Sequence, residues 1–161
     1  MTRDKIPVTP AILMLKRSGA AFELRPYRYE ERGGTHVSAR ELGVDEHRIV
    51  KTLVMEDESK TPLIVLMHGD KQVSTKSLAR FLGVKTVAPC DPQVAERHTG
   101  YKVGGTSPFG TRKTMPIYME ASIASLPRIL INAGSRGLLA ELSPREIERL
   151  LHPVPVHVAI G

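Results

Sequence analysis

The chain has one cysteine, Cys90, and this scarcity excludes two architectures. No internal disulfide can form, and one sulfur cannot build a multi-thiolate metal site. Tryptophan is absent and aromatic residues make up 4% of the chain. The core must therefore rest on Leu, Ile, Val, Ala and Met, and an array of exposed aromatic platforms for stacking RNA bases is disfavoured. No apolar run approaches the ~20 residues of a membrane-spanning helix, and no charged-apolar-small leader pattern opens the sequence. A cytoplasmic protein with no membrane partner is expected. The histidines at 36, 47, 68, 98, 152 and 157 show neither HxH nor HExxH spacing, which argues against zinc. Ser107 lacks the GxSxG setting of a nucleophile elbow. Acidic residues are scattered without a catalytic pair, so an enzyme built on this chain has no obvious protein nucleophile or base.

What is present suits a compact globular protein. At 161 residues, 41% hydrophobic and 25% charged, the chain fits one domain spanning 1–161. Lys and Arg number 23 against 17 Asp and Glu, a net charge of +6 that suits a polyanionic partner through counterion release. Thr9-Pro10 caps a helix that stops near Gly19. A strand is expected from Phe22 to about Tyr29, then a polar loop from Glu30 to His36. A short helix follows from Ser38 to Leu42, capped by Ser38 and ended by Gly43. Ile49–Met55 and Pro62–Met67 are the clearest strands, joined by a charged turn. Ser74 to Leu82 is an amphipathic helix with Leu78, Phe81 and Leu82 on one face. Val84–Val87 reads as a short strand, and Asp91-Pro92 opens a helix ending before Gly100. Further strands are expected at Met115–Met119, Arg128–Ile131 and Leu138–Leu142, ahead of a capped helix from Ser143-Pro144 to Leu151. Regular βα alternation is missing, so the fold class is mixed α/β (α+β) with a mostly antiparallel or mixed sheet.

Three features carry candidate chemistry. Lys51 shares a strand face with Ile49, Leu53 and Met55, while Val50, Thr52 and Val54 share the other. Both faces look buried, and lysine is rarely buried without a partner. Two readings fit: an edge lysine that snorkels to water, or a pocket cation that binds phosphate or stabilises developing negative charge. The second feature is Gly100-Tyr-Lys-Val-Gly-Gly-Thr-Ser-Pro-Phe-Gly110. It matches neither a P-loop nor GxGxxG. It reads either as a plain turn or as a loop whose backbone amides converge on one oxygen. The third is Asn132-Ala-Gly-Ser-Arg-Gly137, either a hairpin loop or a pocket rim. Cys90, beside Pro89 and Asp91-Pro92, reads as inert.

Val50-Lys-Thr-Leu-Val54, Thr99-Gly-Tyr-Lys-Val-Gly-Gly-Thr-Ser-Pro-Phe-Gly110 and Ser135-Arg-Gly-Leu138, in that order, resemble the YbaK/EbsC family, over nearly the whole chain. These proteins are free-standing relatives of the editing domain inserted in bacterial prolyl-tRNA synthetases. The resemblance implies that fold, with a partly barrel-like sheet surrounded by helices. It also implies hydrolysis of the ester joining an amino acid to the 3′ end of tRNA, with Cys-tRNA(Pro) as the substrate. Alternatives are another small aminoacyl-tRNA such as Ala-tRNA(Pro), or a non-catalytic RNA- or nucleotide-binding module. Lys51 takes the place of the family's essential lysine, expected to contact the terminal adenosine or its phosphate. Gly104, Gly105, Thr106, Ser107 and Pro108 match the Gly-x-x-x-Pro loop, whose amides are expected to hold the substrate carbonyl. Tyr27 and Thr52 fall at pocket positions, and Asn132 and Gly134 at the rim. Asn132 stands where the family often carries serine, and its greater size is expected to narrow the pocket or alter the aminoacyl group that fits. An aminoacyl ester is already activated, so a substrate-assisted reaction is expected, through the ribose hydroxyl or, for cysteine, its own thiol. No cofactor and no metal are expected. The expected partners are the acceptor end of proline tRNA and prolyl-tRNA synthetase, and a monomer is expected.

Overall fold

The computed structural model describes residues 6–161, so the first five residues of the expected 1–161 domain lie outside the described part. In chain order the elements are α1 (Pro10–Arg17), β1 (Phe22–Pro26), α2 (Gly34–Leu42), β2 (Ile49–Asp57), β3 (Pro62–His68), β4 (Gln72–Val73) and α3 (Thr75–Leu82). There follow β5 (Val87–Pro89), α4 (Pro92–Thr99), β6 (Ile117–Glu120), β7 (Ile129–Ser135), β8 (Leu138–Leu142), α5 (Pro144–Leu151), β9 (Val154–Val156) and β10 (Ala159–Ile160).

The fold is organised around its most apolar hairpin. β2 and β3 pair antiparallel from Val50↔His68 to Glu56↔Pro62. The Asp57 carboxylate shapes the turn between them, accepting from the Ser59 and Thr61 N–H groups at 2.8 and 3.0 Å. Every residue of β3 is buried, as a continuous apolar run requires when both faces of a sheet are covered. Ile64 and Leu66 face the cluster containing Ala11, Ile12 and Leu15 of α1. Leu63, Val65 and Met67 face Leu78 and Ala79 of α3. Ala39 of α2 packs on Ile49, Leu130 and Leu139. Each of the Val, Leu, Ile and Met side chains among these stabilises the fold by about 1.5–3 kcal/mol on burial, and each alanine by less.

The main sheet runs β1-β8-β7-β2-β3-β6-β9. It is mixed: β2·β7, β3·β6 and β6·β9 are parallel, while β1·β8, β7·β8 and β2·β3 are antiparallel. A second, two-stranded sheet joins β4 to β10.

Caps set the helix ends where the sequence placed them. The hydroxyls of Thr9, Ser74 and Ser143 accept from N–H groups in the first turns of α1, α3 and α5. Gly43, Gly83 and Gly100 end α2, α3 and α4 at positive φ. Several boundaries differ from expectation. α2 begins at Gly34, so the expected loop is partly helical and Ser38 lies inside the helix, its hydroxyl donating back to the Thr35 carbonyl at 3.1 Å. Burial of Val37, Ser38 and Ala39 on the sheet outweighs the capping preference of serine. The first strand stops at Pro26, and the strand expected at Val84–Val87 runs instead over Val87–Pro89, where β2 offers a free edge. Phe81 is 55% exposed rather than packed beside Leu78, its ring edge-on to Tyr118. β7 extends through Asn132 to Ser135, with a register shift between those two residues, so the expected hairpin loop contracts to a tight turn.

Candidate active site

The site begins as a gap in the sheet. On one edge of β2, Ile49 and Val50 pair with Leu130 and Ile131 of β7, whereas Met55, Glu56 and Asp57 pair with β5. Residues 51–54 between them have no strand partner on that edge among the described residues. The Val54 carbonyl there accepts from the Cys90 N–H at 3.0 Å. Alternate peptide groups of a strand point to the same edge, so the N–H and C=O of Thr52 also face the gap. A cleft of about 660 Å³ opens here, within the size range of small-molecule sites. β2 supplies its floor. Tyr27 and Tyr29 after β1, the start of α2, Pro89 and Cys90, Val103, Gly104 and Thr106, and Asn132, Arg136 and Leu139 supply its walls.

Lys51 lies in this cleft, in the seam between the core under α2, which takes Ile49, and the core under α3, which takes Leu53 and Met55. Its Nζ donates to the Lys71 carbonyl, leaving donors for a second partner. Burial pushes its pKa below the usual lysine value, and the Glu46 and Asp70 carboxylates pull it partly back. Arg32 and Arg136 add two more cations to the wall against the carboxylate of Glu31, which favours an anionic occupant. The Thr52 hydroxyl oxygen is buried without a hydrogen-bond partner among the described residues.

The glycine-rich loop closes one side. Gly104 has φ +89°, and a Cβ there would lie 2.6 Å from the Tyr29 hydroxyl, so no other residue fits without displacing that ring. Arg136 sits 5.5 Å over the Tyr29 ring, and its Nε donates to the Val103 carbonyl at 2.8 Å. Asn132 Nδ2 donates to the Gly104 carbonyl at 3.1 Å, while its Oδ1 accepts from the N–H groups of Gly134 and Ser135 at 2.7 and 3.2 Å.

Of the residues singled out from sequence, Tyr27, Lys51, Thr52, Gly104, Thr106 and Asn132 line the cleft together. Gly105, Ser107, Pro108 and Gly134 stand behind the wall. The Gly105 N–H is taken by the Lys102 carbonyl at 2.8 Å. Ser107 is fully buried and its Oγ accepts from the Phe109 N–H at 3.2 Å, so its hydroxyl faces the core. The amides of Gly104, Thr106 and Ser107 keep no partner among the described residues. Cys90 reaches the cleft, but burial and a hydrogen bond to Glu56 push its thiol up to about 12.

Sequence reasoning missed Tyr29 and Thr35, since aromatic and hydroxyl residues in loops carry no spacing signal, and it quoted Arg136 within the 132–137 rim without giving that residue a role of its own. It also missed a cluster of His47, His68 and Asp70. The two rings stack 3.7 Å apart and 8° from parallel. Ring-nitrogen lone pairs lie in the ring planes, so stacked rings do not aim at a common ion. The nitrogens are instead hydrogen-bonded: His47 Nδ1 to Asp70 at 2.9 Å, His68 Nδ1 to the His47 carbonyl at 2.8 Å and His68 Nε2 to Ser122 at 2.7 Å.

A mixed sheet with a lysine in an open stretch of its central strand and a glycine-rich loop along one side forms a cleft suited to an anionic ligand. The chain belongs to the aminoacyl-tRNA editing domain family, whose model matches residues 33–150. It is 31% identical over 143 residues to EbsC of Enterococcus faecalis, named a candidate Cys-tRNA(Pro)/Cys-tRNA(Cys) deacylase, covering 86% of this chain and 85% of that one. A proline–tRNA ligase of Limosilactobacillus fermentum shares 24% identity over 104 residues, 62% of this chain but 18% of that larger enzyme. In fold, a candidate trans-editing enzyme for prolyl tRNA synthetase matches with a TM-score of 0.84 at 19% identity, covering 96% of this chain and all of that one. The editing-domain fold, with its mixed sheet and flanking helices, is as the sequence resemblance implied.

Proposed function

We propose that the chain is a free-standing deacylase of one domain that hydrolyses the ester between a small amino acid and the 3′-terminal ribose of mischarged tRNA, with Cys-tRNA(Pro) its principal substrate. The observation that carries this reading is the gap in the sheet, where Lys51 and the unpartnered Thr52 hydroxyl line one cleft with Gly104 and Thr106 of the glycine-rich loop, and where the Cys90 thiol is held protonated. Lys51 anchors the terminal adenosine or its phosphate. The amides of Gly104 and Thr106, the loop residues on the cleft wall, donate to the ester carbonyl oxygen as negative charge develops on it, an interaction stronger in the transition state than in the ground state. Thr52 Oγ1 and Tyr27 contact the aminoacyl group, while Gly105, Ser107, Pro108 and Gly134 hold the loop and rim that present these donors.

Water, positioned by the neighbouring ribose hydroxyl, adds to the carbonyl carbon. The bond from that carbon to the ribose oxygen then breaks, the ribose oxygen takes a proton, and free amino acid and uncharged tRNA leave. For cysteine, the substrate thiol is an alternative attacking group. Its sulfur bonds to the carbonyl carbon, the same carbon–ribose oxygen bond breaks, the thiol proton passes to the ribose oxygen, and cysteine leaves as a four-membered thiolactone that water then opens. A second hydrolytic site is needed because methylene-scale differences give a synthetase only about 1–3 kcal/mol of discrimination. Proline tRNA, delivered by prolyl-tRNA synthetase in the cytoplasm, is the partner this reading requires.

The test is deacylation of Cys-tRNA(Pro) and Ala-tRNA(Pro) by the wild type and Lys51→Ala. Release of cysteine that disappears in the variant is expected. Release of alanine alone would move the specificity, and cleavage of neither with synthetase added would refute the proposal.

A further inference from the structure

A second charged feature lies on the cleft side of the sheet, outside the cleft itself. Glu141 of β8 is 8% exposed and is met by three guanidiniums. Arg25 binds its Oε1, while Arg48 and Arg128 reach its Oε2 at 3.2 and 3.1 Å. Burial works against the Glu141 charge, and Arg128 and Arg25 overcome it, holding the carboxyl below its usual range. Arg48 also donates to the Arg128 carbonyl, and Arg128 to the Glu141 carbonyl, at 3.2 and 3.3 Å.

The one bonded carboxylate neutralises one of three cations, leaving a surplus of two positive charges in the bonded cluster and of one when the neighbouring Glu23 is counted. A brace for the sheet would need no such surplus. The arginine side chains remain 32%, 32% and 42% exposed. Their bonds occupy five of roughly fifteen N–H donors, at five per guanidinium. Planar forks with free donors match phosphate oxygens in a bidentate manner.

Position points to the occupant. Arg25 stands opposite Leu139, and Leu139 opposite Asn132, in one row across three strands. Leu139 and Asn132 are walls of the cleft. Two inter-strand spacings of ~4.8 Å place the Arg25 backbone about 10 Å from that of Asn132. Arg48 directly precedes Ile49, another wall residue. A strand whose last nucleoside enters the cleft has its preceding phosphates within reach of this surface.

We propose that Arg25, Arg48 and Arg128 form a docking surface for the phosphodiester backbone of the tRNA acceptor end, the RNA being the substrate named in the preceding reading. Glu23, exposed and directly opposite Glu141 in the β1–β8 pair, opposes that charge from the same face.

The probe is an uncharged acceptor-stem minihelix, followed by fluorescence anisotropy over a salt titration, so that binding is read apart from turnover. Arg25→Gln and Arg128→Gln should each weaken binding roughly tenfold, the worth of one charge-assisted hydrogen bond. Each should flatten the slope of log Kd against log salt by about one unit. Glu23→Gln breaks no hydrogen bond or ion pair among the described residues and should tighten binding. Unchanged affinity in both arginine variants overturns the proposal. So does weaker binding that only tracks a lower Tm, with Glu23→Gln silent, since that is the signature of a structural brace. Arginine-dependent binding by a protein that cleaves no aminoacyl ester would leave the surface standing and remove the deacylase reading.

Discussion

Asn132 separates two accounts of the cleft. Judged by size, it is a specificity residue that narrows the pocket. In the structure its polar atoms are committed to the protein: Oδ1 holds the Gly134 and Ser135 amides at the irregular end of β7, and Nδ2 holds the Gly104 carbonyl across the cleft. Asn132→Ala removes all three bonds, at about 0.5–1.5 kcal/mol net for each. The setting is half-buried and water can recover part of the loss, so about 2–3 kcal/mol is expected. For a chain of this length that is a fall in Tm of about 4–12 °C. The loop loses its tie to β7, and a misplacement near 1 Å can cost up to about 100-fold in rate. Thermal unfolding followed by circular dichroism, with kcat/KM on cysteinyl- and alanyl-tRNA(Pro), checks both parts. The expected result is a lower Tm and a similar fractional loss of kcat/KM on the two substrates. An unchanged Tm with an inverted substrate preference would refute the bracing role and return Asn132 to substrate selection.

Gly104→Ala forces a Cβ to 2.6 Å from the Tyr29 hydroxyl at φ +89°. The backbone strain alone is about 1–2 kcal/mol, so calorimetry should show a lower Tm, partly restored by adding Tyr29→Phe. Burial depresses the Lys51 pKa, so the unfolded chain holds that proton more tightly than the folded one. The resulting penalty is complete below the folded pKa and fades as pH rises through it. Lys51→Met should therefore raise Tm at neutral pH, with a gain that shrinks in alkaline buffer, while deacylation is lost. With its thiol pushed up to about 12, Cys90 is protonated at neutral pH, and Cys90→Ser should keep turnover within about twofold; a large loss would show that the thiol takes part.

Much of the scaffold was legible because its signals are local. Thr9, Ser74 and Ser143 announce helix starts through their own hydroxyls, and Gly43, Gly83 and Gly100 announce ends through a backbone conformation that other residues adopt at a cost. The apolar runs of β2 and β3 identified the central hairpin. Lys51 and the 100–110 loop stood out as oddities, a charge in a greasy strand and three more glycines beyond the one that ends α4. Ser38 misled for the same local reason: a good capping residue was taken as a cap, when packing of α2 on the sheet carries the helix past it.

The amino-acid sequence by itself determined the elements, the apolar layers and the two chemical oddities, because periodicity, capping and turn chemistry act within a few residues. Only the tertiary structure decided that β7 and β5 meet the same edge of β2 and leave residues 51–54 open between them. It alone decided that Ser107 turns its hydroxyl into the core, that Asn132 ties Gly104 to β7, and that three arginines distant in sequence converge on Glu141. Those outcomes depend on strand pairing between segments far apart along the chain. Their energies come from packing and hydrogen-bond satisfaction across the whole sheet, which no short window of sequence encodes.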